Sequence, residues 1–212
     1  MNTNQSDLLK NISGKWSVIT LATCCFIFLC VSCGKKQDNS GFAPKPKGYN
    51  RIDLPVAEYQ TLMENHPFVF EYSRYAVIKP DTVKWAEPHW LYVYYPAYQA
   101  MIQLTYKPLN GDKQKLAKLI ADAHKLAAKH SVKAYSIQEF LVKTPSGKYV
   151  DMMELEGEVP SQLQFYTTDS TTHYLRGALY FKTALHNDSL APVINYMKRD
   201  INHMLNTLQW KK

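Results

Sequence analysis

Nothing after Cys33 is cysteine, and all four cysteines (Cys24, Cys25, Cys30, Cys33) fall within ten residues. A domain folded from the residues beyond Cys33 has no disulfide, thiolate metal site or catalytic cysteine available to it. It must hold together by burying apolar surface alone.

The cysteines sit at the end of an address. Trp16–Val31 is almost wholly apolar, and Lys10 and Lys15 precede it. A positive segment followed by 16 apolar residues reads as a secretory signal, whereas a transmembrane helix needs about 20. The sequence Cys30-Val31-Ser32-Cys33-Gly34 then resembles a bacterial lipobox. Small residues flank the cysteine whose thiolate would take a diacylglycerol. One position departs from the pattern: Cys30 stands where Leu is usual, with Leu29 one place further out. The expectation is a signal peptide over 1–32, palmitate-type lipidation at Cys33, a tether over 33–48 and a globular domain over 49–212. Pro44-x-Pro46 favours an extended tether.

Cleavage before Cys33 leaves 180 of the 212 residues and, by removing Lys10, Lys15 and Asp7, takes the net charge from +7 to +6. An exported lipoprotein does not meet nucleic acid, so lipid head groups or acidic envelope partners are the counterparts for that charge.

Period-2 alternation marks the strands. Tyr98, Ala100, Ile102, Leu104 and Tyr106 share one face; Leu175, Gly177, Leu179 and Phe181 share another. Leu163 and Phe165 alternate with glutamines, and Thr168–Thr171 turns. Further strands are expected over 49–54, 67–72, 75–80, 89–95, 134–143 and 149–156, the last two joined by Pro145-Ser146-Gly147. Asp112 caps a helix with Leu116, Leu119, Ile120, Ala123 and Ala127 on its apolar face. A second helix after Asp188-Ser189 buries Val193, Ile194, Met197, Ile201, Met204, Leu205 and Leu208. A shorter helix is expected over Val56–Glu64. The fold class is α+β: an antiparallel sheet covered by two long helices, in an element order that resembles the PsbP/Mog1 architecture.

Catalytic signatures are absent. There is no His-Glu-x-x-His, Gly-x-Ser-x-Gly or Gly-x-Gly-x-x-Gly, and Pro145–Lys148 reads as a hairpin turn instead of a phosphate loop. His124 and His130 share a helix at a spacing that does not converge, and the other five histidines are isolated in sequence. No metal and no cofactor are expected. Asp81, Glu87 and His89 stand near one another and form a candidate acid–base group. Trp85, Trp90, Tyr92, Tyr94, Tyr95, Tyr98 and Tyr106 make an aromatic run that either fills the core or presents rings to a glycan or a partner.

The run Pro44–Pro55 (PKPKGYNRIDLP), together with His66-Pro67-Phe68, Phe70-Glu71-Tyr72, Gln164–Ser170, Gly177–Phe181 and Asn187–Pro192, resembles the gliding-motility lipoprotein GldD family of Bacteroidetes. The resemblance implies a periplasm-facing lipoprotein required for gliding motility and type IX protein secretion, and it carries over no catalytic residue. Its partners would be other envelope proteins of that machinery, with the membrane reached through the lipid. The expectation is a non-enzymatic assembly component. The alternative is a module that binds peptidoglycan or another glycan. The candidate surface residues are Arg51, Asp53, Trp85, Trp90, Tyr92 and Tyr94.

Overall fold

A nine-residue strand, β10 (His173–Phe181), is buried on both faces along nearly its whole length, as a central strand covered on two sides must be. The computed structural model describes residues 52–182 and 187–211. Cys33, Arg51, the signal segment and the tether lie outside them.

Around β10 a seven-stranded antiparallel sheet forms in the order β4-β5-β6-β10-β9-β8-β7. Its other members are β4 (Val77–Pro80), β5 (Leu91–Tyr95), β6 (Ala100–Pro108), β7 (Ala134–Lys143), β8 (Tyr149–Gly157) and β9 (Leu163–Thr168). The alternation read from the sequence sets its faces. Leu104, Gly177, Phe165 and Met152 line up across β6, β10, β9 and β8 on one face. Tyr166 and Asp151 pair on the other.

Helix α2 (Asn187–Thr207) contributes to the first face, burying Val193, Ile194, Met197, Ile201, Met204 and Leu205, with Leu208 just past its end. Each such side chain stabilises the fold by about 1.5–3 kcal/mol on burial. Lys198 reaches Glu154 of β8 at 2.6 Å and ties helix to sheet. Helix α1 (Lys113–Ala128) serves the opposite face. The Asp112 carboxylate accepts the Lys115 N–H at 2.9 Å, and Ala123 and Ala127 pack with Met153, Leu155, Tyr166 and Tyr174. The antiparallel α+β class holds, but two long helices are met only in part: α2 has 21 residues and α1 has 16. Among the described residues, no helix is long and apolar enough to cross a membrane.

Short strands complete the fold: β1 (Tyr59–Thr61) pairs with β3 (Glu71–Ser73), and β2 (Phe68–Val69) with β11 (Gln209–Trp210). The sequence is misleading here. The helix expected over Val56–Glu64 is absent; Tyr59-Gln60-Thr61 instead satisfies its backbone against β3. Of the strand expected over 49–54, residues Ile52–Leu54 are irregular and the rest lie outside the described residues. The 67–72 window is two strands with different partners, split at Phe70. Tyr98 belongs to a 3-10 turn, Pro96–Tyr98, and not to β6. Helix α2 begins at Asn187, ahead of the start expected after Asp188-Ser189, and Pro192 lies inside it.

Candidate functional site: an open sheet edge and a histidine-lined pocket

Among the described residues, strand β7 is the outermost strand of the main sheet, paired with β8 on one side only. No residue of it is buried. Tyr135 is 76% exposed and Leu141 66%, and Ile137 and Phe140 are exposed as well. Proteins usually blunt such an edge with prolines, short length or many charges. Here ten residues run without proline, and Glu139 and Lys143 are the only charges. The register slips between Ala134 and Ser136. Gly157 lies opposite that bulge at φ +130, where a Cβ would come 2.4 Å from the Lys133 carbonyl. Beside the edge runs a groove of about 280 Å³ floored by Phe140, Val142, Val150 and Met152 and walled by Leu205 and Asn206 of α2. An unpaired edge flanking an apolar groove provides both halves of strand addition: backbone hydrogen bonds for affinity and side-chain pockets for specificity.

A second concavity, about 350 Å³, lies at the β2–β11 end, lined by Asn65, His66, Pro67, His89, His173 and Lys211. His66 and His89 bring their Nδ1 atoms to 3.2 Å. The His173 Nδ1 meets the Tyr106 hydroxyl at 2.8 Å, while its ring stacks on Trp210. His89 adopts a left-handed backbone, φ 70. Burial, and next the neighbouring His89, push the His66 imidazole below its ordinary pKa. Three histidines isolated in sequence therefore share one pocket. No spacing rule reveals this, because a loop, a turn and a strand each supply one.

The acid–base group of Asp81, Glu87 and His89 does not assemble. Asp81 accepts from the Val83 N–H at 3.1 Å and from Gln103 at 3.0 Å. Glu87 pairs with Lys107, and His89 faces His66. Among the aromatics, Tyr95 and Tyr106 fill the core. Trp90, Tyr92 and Tyr94 follow the other parity, and all three are engaged. The Trp90 Nε1–H donates to the Tyr106 carbonyl at 3.0 Å, with the Lys107 ammonium 5.0 Å from its ring. Lys79 stands 4.0 Å over Tyr94. Gln103 donates to the Tyr92 hydroxyl; burial first, then Asp81, push that phenol up to about 12. Trp85, in the loop before β5, is 73% exposed. Asp53 is exposed between Ile52 and Leu54, which pack against the main core.

Fold and site define a small α+β protein with a strand edge open to pairing. The family model described as gliding motility lipoprotein GldD matches residues 39–210, so the chain belongs to that family. Membership connects it with gliding motility and with lipid-anchored envelope proteins. No curated protein matches it. Among solved structures it is similar to the solution structure of cyanobacterial PsbP (CyanoP) from Synechocystis sp. PCC 6803. The TM-score is 0.45 at 10% identity, over 76% of this chain and 97% of that one.

Proposed function

We propose that this chain is a periplasm-facing lipoprotein, held in its membrane through Cys33, that acts as a non-enzymatic assembly component of the gliding and type IX secretion machinery. It docks an extended, alternately apolar segment of an envelope partner onto β7. The carrying observation is the exposed ten-residue edge beside its apolar groove. The separate partners of Asp81, Glu87 and His89 support a binding role over acid–base chemistry. The PsbP/Mog1-like assignment belongs to the same proposal and rests on element order.

A photo-crosslinking residue at Leu141, compared with one at Trp85, tests the docking edge in cells. Adducts to one envelope protein at Leu141 but not at Trp85 support it. Adducts at Trp85 with none at Leu141 contradict it. The glycan reading has narrower footing, since Lys107, Gln103 and Lys79 already engage Trp90, Tyr92 and Tyr94.

A further inference from the structure

On the face of the β7–β8 hairpin opposite the groove, three metal-ligating side chains converge from three elements. His124 of α1, Glu139 of β7 and Asp151 of β8 each offer a ligand atom, all within 4.8 Å of one another. His124 Nδ1 and Glu139 Oε2 are 3.3 Å apart. That matches two ligands of one ion, whose bonds of about 2.0–2.2 Å at tetrahedral or octahedral angles set neighbours roughly 3–3.5 Å apart.

Asp151 provides an independent observation. Its Oδ1 is shielded from solvent and has no hydrogen-bond partner, one of six such side-chain atoms among the described residues and the one that belongs to this cluster. Its Oδ2 accepts the Tyr166 hydroxyl at 3.0 Å. The rings of Tyr166 and His124 also meet edge to face, with centroids 5.9 Å apart. Tyr166 thus holds the Asp151 carboxylate by a hydrogen bond, as groups behind metal ligands do, and packs against the His124 ring. A simple His124–Glu139 ion pair, half exposed, would stabilise little and would leave Asp151 Oδ1 unexplained.

We propose that His124, Glu139 and Asp151 bind a divalent transition-metal ion that staples α1 to the edge hairpin. One imidazole with two carboxylates suits Zn²⁺ or Mn²⁺; the nitrogen ligand disfavours Ca²⁺ and Mg²⁺. Water would complete the coordination on the exposed side.

Titration of Zn²⁺ and Mn²⁺ into the chelator-stripped full-length lipoprotein in detergent micelles, by calorimetry and thermal shift, tests this. The expected result is one bound ion per chain and a raised melting temperature. Glu139→Gln and Asp151→Asn should each lower affinity by about 10-fold or more, while His66→Ala leaves it unchanged. Glu139 is exposed, so its variant tests the site without risk to the fold. Failure of both ions to bind the wild-type chain overturns the proposal. So does binding that survives Glu139→Gln and Asp151→Asn but falls with His66→Ala, which would locate the ion in the histidine pocket.

Discussion

The ring of Phe165 fills the space that a side chain at Gly177 would need: a Cβ built there lies 2.0 Å from Phe165 Cζ. The two residues face each other across β9 and β10 in the middle of the sheet. Overpacking a core costs about 1–3 kcal/mol, and a contact this short belongs at the upper end. Gly177→Ala is expected to destabilise the chain by about 3 kcal/mol in denaturant titration. Phe165→Leu in the same chain should recover part of that loss, because residues in contact couple non-additively.

Asp200 is buried and accepts two tyrosine hydroxyls, Tyr59 at Oδ1 and Tyr95 at Oδ2, both at 3.1 Å. Removing it leaves the Tyr95 hydroxyl buried without its acceptor, at a cost of about 1–3 kcal/mol for that group. Asp200→Ala should therefore lower stability by about 3 kcal/mol, and Tyr95→Phe alone by about 1 kcal/mol. Equilibrium unfolding of both variants checks the order.

Much of this was legible in the sequence, and the exceptions share a cause. Strands β6 and β10 and both helices announce themselves because each buries a face at its own period over nine or more residues. The Thr168–Thr171 turn was readable from Asp169. The structure shows why: its Oδ1 accepts the backbone N–H groups of Thr171, Thr172 and His173 at 3.0, 2.8 and 2.8 Å. What stayed hidden depends on distant partners. Strand β2 exists because Phe68 finds Trp210, and His66 meets His89 only through that folding. Strand β7 is legible as a strand over 134–143, but nothing in its residues says where in the sheet it lies. Only the strand order puts it at an edge.

Stability should fall as the solution is acidified from about pH 8 to about pH 5. Burial, first of all, holds His66 and His130 below the ordinary 6.5. Unfolding lets each bind a proton more readily, so their contribution is fully present above 6.5 and is lost as pH drops through the folded values. Thermal melts across that range check this, and His66→Asn should flatten the slope. At lower pH, Asp169 adds to the loss. Burial alone would raise its carboxyl, but three backbone donors hold it below 3.8.

Cys33→Ala should abolish lipidation and release the chain from membranes. Metabolic labelling with palmitate and membrane fractionation read both effects. A processed chain that still fractionates with membranes would contradict the assignment of the anchor.

The docking edge carries the functional account, and gliding of cells in which Phe140→Lys, on the groove side of β7, and Leu141→Lys, on its other side, replace the wild-type residues tests it most directly. Both side chains are exposed, so protein level and melting temperature should stay unchanged. The account predicts loss of gliding and of type IX secretion at normal protein level. Full gliding and secretion with the doubly substituted chain would contradict it.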